Sequence, residues 1–272
     1  MLQLHGQFKD GTSRKIPFES FTFPGGEQGV RIDVSALKDA AAHFTIEAAL
    51  RSSSDVLTLL MLADALRQVV QNAEISLHMP YVPYARQDRV CHAGESLSIR
   101  VFAQLINSQN FSTVTVLDPH SAVTPALINN VIVTSAQNHV ANAVAAMGGD
   151  VVLVAPDMGA SSRVRDIAQA LGLPKLQAQK TRDASSGVVT GVEMLDAIPP
   201  KPLLVVDDIC DGGRTFIELA LAVQRIAPQQ TLGLYVSHGI FSKGLEVLSP
   251  MYSRVFTANS WLDEGTPGLS LV

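Results

Sequence analysis

The fold is decided by the stretch Leu203-Leu204-Val205-Val206-Asp207-Asp208-Ile209-Cys210-Asp211-Gly212-Gly213-Arg214-Thr215-Phe216. Its first four residues are apolar, and so short a run with two β-branched side chains predicts a buried strand rather than a helix. Two carboxylates stand at the end of that strand and a turn with two glycines follows. Residues 215–223 predict a helix, since no breaker interrupts them. A strand, a tight turn and a helix aim backbone N–H groups at a phosphate, and in open α/β sheets ligands lie at the carboxyl ends of the strands.

The acidic residues of this stretch indicate what else the ligand contains. Asp207 and Asp208 cannot bind a phosphate, but their oxygens suit sugar hydroxyls or a metal ion. An ordinary turn with surface acids is the alternative, because a glycine pair after a strand is common. The buried strand, the acidic pair, the third acid Asp211 and the Gly-Gly-x-Thr turn are more specific together. They predict a site for a phosphorylated sugar, with carboxylates on the ribose and amides on the phosphate.

The composition limits the class of protein. The chain has 272 residues, 47% of them hydrophobic and 17% charged, and a net charge of -5. This length is enough for one large or two small α/β domains. The lack of a basic stripe argues against a nucleic-acid partner, and no apolar run reaches the length of a membrane span. Because the start lacks a signal-peptide pattern and Cys91 and Cys210 are the only cysteines, we expect a cytoplasmic, reducing compartment.

Strand and helix patterns alternate along the chain, which predicts an α/β fold with parallel sheets that carry helices on both faces. The first 40 residues are mixed and rich in polar turns, and residues 177–190 are polar and irregular. A coarse two-fold rhythm places a boundary near residues 130–137, so we expect domains at residues 1–133 and 134–272. Strands are predicted at residues 30–34, 44–50, 74–79, 114–117, 151–154, 203–206 and 232–236, and helices at residues 56–70, 98–106, 138–147, 163–171 and 215–223.

Two strings in the chain resemble known signatures. Residues 203–216 resemble the ribose-phosphate binding signature of the phosphoribosyltransferase-like superfamily. On generic grounds, the string Tyr84-Ala85-Arg86-Gln87-Asp88-Arg89 is a solvated loop with a local salt bridge, although arginines in such a loop can bind phosphate. The same string is similar to a long and rare signature of the ribose-phosphate diphosphokinases, also called phosphoribosyl diphosphate synthetases.

Further segments resemble the same family in the same order, over about residues 21–260. The resemblance implies two phosphoribosyltransferase-like domains and a homo-oligomer, either a dimer or a larger assembly. These segments are Phe23-Pro24-Gly25-Gly26-Glu27, residues 52–55, residues 60–66, Asp118-Pro119-His120, Ala155-Pro156-Asp157-Met158-Gly159, Lys180-Thr181-Arg182 and Ser237-His238-Gly239.

The resemblance also implies a reaction. The diphosphoryl group of ATP would pass to the anomeric hydroxyl of a ribose 5-phosphate-type acceptor, with Mg²⁺ as cofactor and AMP as leaving group. Such catalysis depends on positioning and charge stabilisation more than on covalent chemistry. The implied residues are Phe23, Glu27, Arg86, Gln87 and Asp88 for ATP, His120 and Asp157 for Mg²⁺, Lys180, Arg182 and His120 for catalysis, and Asp207, Asp208, Asp211, Gly212, Gly213, Arg214 and Thr215 for the ribose phosphate. Phe23 and Glu27 are implied to act on the site of a neighbouring subunit.

Two departures from the family pattern concern the ligands. Pro24 and Gly25 replace a serine and an aspartate of the early loop, which puts one polar nucleotide contact in doubt. In the phosphate turn, Gly212 replaces a threonine and Arg214 replaces a glycine. The loss of a side chain and the gain of a guanidinium suit either a larger anion or a monophosphate site in which the cation replaces the lost contacts. A substituted acceptor such as ADP-ribose is therefore the alternative to ribose 5-phosphate.

Two other function classes remain open on the sequence. A phosphoribosyltransferase would share the Asp207-Asp208 loop but would not need residues 84–89 or 118–120. A non-catalytic regulatory homologue would be expected to lose the loop cations, whereas Lys180 and Arg182 are present.

Overall fold

The computed structural model describes residues 2–182, 189–263 and 265–272, except for the side chains of residues 180–182, 189 and 190. The chain divides into two compact units, Met1–Thr134 and Ser135–Val272.

The first unit is a mainly parallel sheet with helices between its strands. Its elements are β1 (Leu2–Phe8), β2 (Ser13–Ile16), β3 (Phe18–Thr22), β4 (Gln28–Ile32), a 3-10 helix (Val34–Leu37), β5 (Ala40–Ala48), α1 (Ser53–Val69), β6 (Glu74–His78), α2 (Ser98–Asn107), β7 (Thr113–Leu117), α3 (Val123–Leu127) and β8 (Val131–Thr134). The described strands form one six-stranded sheet in the order β2-β1-β5-β6-β7-β8 and a separate β3-β4 hairpin. β5 to β8 pair in parallel, whereas β1 is antiparallel to both β2 and β5.

The hydrophobic core of the first unit lies on one face of its sheet. Alternate residues of β5, such as Phe44 and Ile46, are buried against apolar residues of α1 and α2. The residues between them, such as Thr45 and Glu47, are half-buried or exposed, because successive side chains of a strand point to opposite faces. A capping box starts α1, since the Ser52 hydroxyl accepts a hydrogen bond from the N–H group of Asp55 at 3.1 Å.

The second unit is also a mainly parallel sheet. Its elements are α4 (Gln137–Ala146), β9 (Val152–Ala155), α5 (Ser161–Leu171), β10 (Lys175–Arg182), β11 (Val189–Met194), β12 (Leu203–Cys210), α6 (Arg214–Ile226), β13 (Leu232–Gly239), β14 (Arg254–Ser260) and β15 (Leu269–Leu271). Within the described residues the strand order is β11-β10-β9-β12-β13-β14-β15. All neighbours pair in parallel except β10 and β11.

The second sheet is buried on both faces, and β12 runs through its middle. Leu203 and Val205 belong to a core cluster that includes the buried side of α6. Leu204 and Val206 belong to the opposite cluster, which includes the buried sides of α4 and α5. A strand that is buried on both faces reads as a continuous apolar run, which explains the sequence pattern of residues 203–206.

The structure confirms the predicted helices and strands near their expected positions and corrects three regions. The first 40 residues, predicted to be mixed and rich in polar turns with a strand at residues 30–34, contain four strands. Much of the segment predicted to be irregular, residues 177–190, lies in the antiparallel pair β10 and β11, and residues 183–188 are outside the described part. The strand predicted to end at Val206 continues to Cys210. Among the described residues, no helix has both the length and the apolar character needed to cross a membrane.

Candidate active site

Two carboxylates lie next to each other inside β12 of the second unit. We predicted Asp207 and Asp208 after the end of the strand, but β12 stays paired with β13 as far as Cys210. The Nη1 atom of Arg163, from α5, is 3.6 Å from Oδ1 of Asp207 and 3.7 Å from Oδ1 of Asp208. Both carboxylates are therefore turned toward one guanidinium, although they are neighbours on a strand.

The acidic pair is shielded from water, which changes its protonation. The side chains of Asp207 and Asp208 are only 15% and 8% exposed. Burial raises the pKa of Asp207 well above its ordinary value, and the charge of Asp208 raises it further, whereas the Arg163 guanidinium lowers it. When ionised, these carboxylates can accept hydrogen bonds from hydroxyl groups. The Arg163 cation beside them favours the ionised form of Asp207 against the effect of burial.

A turn that exposes backbone amides follows the acidic pair. Gly213 has φ 76° and ψ −1°, a left-handed conformation that glycine adopts without a steric penalty. It is the N-cap of α6 and, as a glycine, it provides no side chain to cap the first turn of this helix. The Gly213 carbonyl accepts the amides of Phe216 and Ile217 at 3.0 Å each. Because the first amides of a helix have no partner within the helix, Arg214 and Thr215 present N–H groups at an electropositive helix end.

In the first unit, two of the predicted loops follow neighbouring strands. The loop 80–89 comes after β6, and Asp118-Pro119-His120 comes after β7. The Leu117 amide donates to the Pro80 carbonyl at 3.0 Å, so the two loops start side by side at the carboxyl edge of this sheet. Asp118 has φ 39°, which turns the chain sharply after β7, and His120 is exposed. The structure thus brings His120 and the predicted ATP loop to one edge.

The loop that contains Arg86, Gln87 and Asp88 is held by Tyr84. Its carbonyl accepts the Gln87 amide at 2.9 Å, and its ring lies 5.8 Å from the ring of Phe102 in α2. Tyr84 has φ 65°, and its hydroxyl is 3.4 Å from the Ser53 hydroxyl at the start of α1. Arg86 and Gln87 are exposed and Asp88 is half-buried. Two helices therefore fix a loop that presents a cation and an amide outward.

The predicted early loop is the tip of the β3-β4 hairpin, on a different sheet from the loop 80–89. The Phe23 amide donates to the Glu27 carbonyl, and the Gly26 amide donates to the Phe23 carbonyl, each at 2.8 Å. The Phe23 ring packs edge-on against Phe21 with ring centroids 5.0 Å apart, yet Phe23 is 51% exposed. The hairpin thus presents an aromatic ring outward.

The chain matches two family descriptions along its length. Residues 12–109 match the N-terminal domain of ribose phosphate pyrophosphokinase, and residues 125–261 match the phosphoribosyl transferase domain. The chain belongs to the ribose-phosphate pyrophosphokinase family. It is 28% identical over 266 residues to the ribose-phosphate pyrophosphokinase of Pyrococcus furiosus, covering 94% of this chain and 90% of that protein. It is 30% identical over 234 residues to the enzyme of the same name from Mycoplasma pneumoniae, covering 84% of this chain and 70% of that protein.

A solved structure confirms the predicted fold. The phosphoribosylpyrophosphate synthetase of Mycobacterium smegmatis superimposes with a TM-score of 0.76, covering 95% of this chain and 86% of that chain at 20% identity. At this identity the likeness concerns the fold. The α/β architecture with two phosphoribosyltransferase-like domains is thereby confirmed.

Arg214, one departure from the pattern of the ribose-phosphate pyrophosphokinase family, is directed away from the phosphate turn. Its Nε donates to Oε1 of Glu218, one helical turn further on, at 2.7 Å, and its side chain is 80% exposed. This hydrogen bond and the charge of Glu218 raise the pKa of Arg214. The guanidinium therefore lies along the surface of α6, so this geometry does not support the expected contact between Arg214 and a phosphate.

Lys243, which the sequence analysis did not single out, lies at the other departure. The Ser242 amide donates to the Asp211 carbonyl at 3.2 Å, which holds the segment after β13 against the turn. An ideal Cβ atom on Gly212 would be 3.5 Å from Cε and 3.6 Å from Cδ of Lys243. The lysine stem therefore runs over the glycine and carries its ammonium beside the turn. No local sequence pattern predicts this, because 31 positions separate Lys243 from Gly212 along the chain.

The residues that the family resemblance implies for Mg²⁺ are His120 and Asp157. Within the described residues, no three side chains of the His, Cys, Asp and Glu types cluster closely enough to hold a metal. Oδ1 of Asp157 accepts the amides of Gly159 and Ala160 at 2.9 and 3.2 Å, which fixes this carboxylate at the carboxyl end of β9. Mg²⁺ commonly keeps several waters and takes only one or two carboxylates besides substrate phosphates. The fixed carboxylate of Asp157 therefore suits a magnesium ion that also binds substrate phosphates.

Lys180 and Arg182 occupy the end of β10, but their side chains are outside the described part of the structure. Their backbone pairs with β11 in antiparallel register, with Lys180 opposite Val192 and Arg182 opposite Val189. The backbone of the predicted catalytic pair is therefore part of a paired strand. The role of the two cations stays a prediction.

Proposed function

We propose that this chain transfers the diphosphoryl group of ATP to the anomeric hydroxyl of ribose 5-phosphate, giving phosphoribosyl diphosphate and AMP. One observation carries the proposal: Asp207 and Asp208 of β12 both face the guanidinium of Arg163, and the N-terminus of α6, which has a glycine as its N-cap, follows five residues later. Carboxylates that can accept hydrogen bonds from hydroxyls are thus followed along the chain by amides that can donate to a phosphate. Ribose 5-phosphate presents its hydroxyls and its phosphate in the same order. The names of the curated relatives support the same class of reaction.

The second unit is proposed to bind the acceptor. Asp207 and Asp208 would accept hydrogen bonds from the two ring hydroxyls of the ribose, because buried carboxylates form strong charge-assisted bonds. The amides of residues 212–215 would bind the 5-phosphate at the N-terminus of α6. Lys243 would add a positive charge there in place of the threonine hydroxyl that the family carries. Fixing both ends of the sugar orients its anomeric hydroxyl, which is the main catalytic contribution of a site of this kind.

The first unit is proposed to bind ATP. Arg86 and Gln87 are exposed at the carboxyl edge of its sheet, and Asp88 lies beside them. We propose residues 1–133 and 134–272 as the nucleotide and acceptor domains. We also propose an assembly of at least two copies, in which Phe23 and Glu27 reach the nucleotide of a neighbouring copy. The exposed ring of Phe23 supports this, since a base can stack on it.

Mg²⁺ is the proposed cofactor, with His120 and Asp157 as the residues that would hold it through water or directly. When bound to the ATP phosphates, the ion neutralises the negative charge that develops there during transfer. Lys180 and Arg182 are proposed to donate hydrogen bonds to the transferring group, since cations aimed at developing charge stabilise a transition state.

The test is product analysis after incubation with ATP, Mg²⁺ and each candidate acceptor. We expect AMP and phosphoribosyl diphosphate in equal amounts from ribose 5-phosphate, and no product in excess EDTA. The variant Asp208→Asn should lose the activity, whereas Asp166→Asn, which alters an exposed carboxylate on α5, should retain it. Failure of the wild-type protein to release AMP with either acceptor would contradict the proposed reaction.

ADP-ribose is the other acceptor to test. Gly212 has no side chain at the turn, which favours a substituted phosphate, but the stem of Lys243 covers this glycine, with Cε 3.5 Å from its ideal Cβ position, and this weakens the case for ADP-ribose. The pairing of Arg214 with Glu218 weakens it, because the guanidinium that would bind a second phosphate is held elsewhere. Ribose 5-phosphate is therefore the first choice. A higher rate with ADP-ribose at equal concentration would reverse that choice.

A further inference from the structure

Arg163 joins three charges in a space that water hardly reaches. Its side chain is 13% exposed, and the same Nη1 atom lies within 3.7 Å of a carboxylate oxygen of both Asp207 and Asp208. Two negative charges that lie beside the same cation in a poorly hydrated site repel each other strongly. The acidic pair can therefore stay ionised only with a compensating cation, and Arg163 is that cation on the side of α5.

The position of Arg163 in its helix is unfavourable apart from this contact. It is the third residue of α5, within the first turn, and that turn contains no acidic residue. A cation at a helix N-terminus is repelled by the helix dipole. Local helix energetics therefore do not favour an arginine there, whereas the two carboxylates of β12 do.

The length of the two contacts leaves the carboxylates suited to a ligand. A good N–H···O hydrogen bond has a donor–acceptor distance of about 2.7–3.2 Å. The observed distances of 3.6 and 3.7 Å lie beyond that range but within the range of an ion pair. At these two contacts the guanidinium supplies charge without occupying an acceptor position at hydrogen-bonding distance. Oδ1 of Asp207 also accepts the amide of Asp208 at 2.9 Å, so Oδ2 is the oxygen of Asp207 that can accept from a sugar while the cation remains beside the pair.

We infer that Arg163 is the positioning residue of the ribose site: it holds Asp207 and Asp208 together as two carboxylates, so that both ring hydroxyls of the acceptor are bound. This inference rests on the proposed function. Without Arg163, the two carboxylates would turn apart or one would take up a proton, and one acceptor for a sugar hydroxyl would be lost. The opposing effects of burial and of Arg163 on the pKa of Asp207 agree with this.

The test compares two sugars on two variants. Arg163→Met removes the charge but keeps an apolar stem. Arg165→Met is the matched control, because Arg165 lies on the same helix, is 58% exposed and pairs only locally with Asp166. Binding of ribose 5-phosphate and of 2-deoxyribose 5-phosphate, which lacks one ring hydroxyl, is measured by calorimetry, and thermal melting confirms the fold. For Arg163→Met we expect affinity for ribose 5-phosphate to fall about tenfold or more, with a much smaller fall for the deoxy sugar. The KM for ATP should not change.

The outcomes separate a positioning role from a structural one. A merely structural arginine would lower the melting temperature but leave the ratio of the two sugar affinities as in the wild type, and that result would overturn the inference. If Arg163→Met does not fold, Arg163→Lys is tested instead. A single ammonium neutralises two carboxylates less well than a guanidinium, so the ratio of the affinity for ribose 5-phosphate to that for 2-deoxyribose 5-phosphate should fall by about threefold. An unchanged ratio in that variant also overturns it.

Failure of the proposed function is distinguishable. Wild-type protein that binds ribose 5-phosphate but releases no AMP refutes the reaction, while the affinity ratio still decides the role of Arg163. Wild-type protein that does not bind ribose 5-phosphate, or that binds both sugars equally, refutes the inference as well.

Discussion

Gly213→Ala tests whether the turn before α6 is both strained and functional. Gly213 has φ 76°, and Gly172, at the end of α5, has φ 65°, so an alanine at either place adopts a left-handed conformation. That conformation costs an alanine about 1–2 kcal/mol, part of which is offset by the lower entropy of the unfolded chain. We therefore expect about 1 kcal/mol of destabilisation from the backbone at each position. Gly172→Ala is the control, since nothing lies within 4 Å of its Cβ position.

At Gly213 a packing term is added. An ideal Cβ atom there would lie 3.2 Å from Cδ2 of Leu248, which is a tight contact with a fully buried side chain. Displacing that leucine from its rotamer costs about 1 kcal/mol. Gly213→Ala should therefore lower the free energy of unfolding by about 2 kcal/mol, roughly twice the effect of Gly172→Ala.

Urea unfolding followed by circular dichroism measures the two stabilities, and steady-state kinetics measure the function. Because the new methyl group stands where amides would approach the 5-phosphate, KM for ribose 5-phosphate should rise about tenfold or more in Gly213→Ala. It should be unchanged in Gly172→Ala, and KM for ATP should be unchanged in both. A normal KM for ribose 5-phosphate in a folded Gly213→Ala protein would show that this turn does not bind the phosphate.

Three further variants test neighbouring groups. The raised pKa of Asp207 means that the folded state binds its proton more tightly, so the stability from this group is present at low pH and lost as pH rises above the ordinary value of 3.8 toward the folded-state pKa. Asp207→Asn should therefore gain stability relative to wild type as the pH is raised above 3.8 in urea titrations, while ribose 5-phosphate is no longer used; a constant difference would contradict the burial argument. Lys243→Met should raise KM for ribose 5-phosphate by about threefold or more, whereas Lys201→Met, at an exposed ion pair, should not; equal KM values would remove Lys243 from the site. Tyr252→Phe deletes a buried 2.7 Å hydrogen bond to the Phe216 carbonyl and should cost about 1–3 kcal/mol with normal KM values; an unchanged urea midpoint would refute that estimate.

The central strand and its turn could be predicted from sequence because their signals are local. Val205 and Val206 lie in a strand covered on both faces, so the apolar run is uninterrupted. Gly213 marks a backbone conformation that few other residues adopt. The error lay at the strand end. Asp207 and Asp208 are charged and poor strand formers, yet pairing with β13 keeps them in β12, since tertiary pairing outweighs intrinsic propensity.

The edge strands could not be predicted in the same way. β11 is an edge strand, and β10 lies between it and β9, which pairs with only the first residues of β10. Both strands contain polar and charged residues, and such composition also suits a loop. β2 is the four-residue strand at the edge of the first sheet, antiparallel to β1, and so short and polar a segment suits a turn equally well. These strands are stabilised by hydrogen bonds to their partner strands. The residue pattern within each segment contains no information on that pairing, so it does not predict a strand.

Arg163 and Lys243 were missed for a different reason. Arg163 contacts Asp207 across 44 positions of sequence, and Lys243 reaches Gly212 across 31. A cation on an amphipathic helix or in a polar loop is usually a surface residue, and nothing local distinguishes these two. The tertiary fold brings α5 and the segment after β13 next to β12 and its turn, and only this packing gives the two cations their partners.

The features gathered around β12 each oppose stability. The unit contains two adjacent buried carboxylates, an arginine at the unfavourable end of a helix, a left-handed turn and a helix start without a side-chain cap. Unfavourable features of this kind persist where the surrounding structure over-determines them, and they concentrate at functional sites. Here the apolar clusters on both faces of the second sheet supply that structure. Four costly features lie within one strand, one turn and two helix ends, and packing alone does not explain this coincidence. It agrees with the proposed binding of a sugar that carries adjacent hydroxyls and a phosphate.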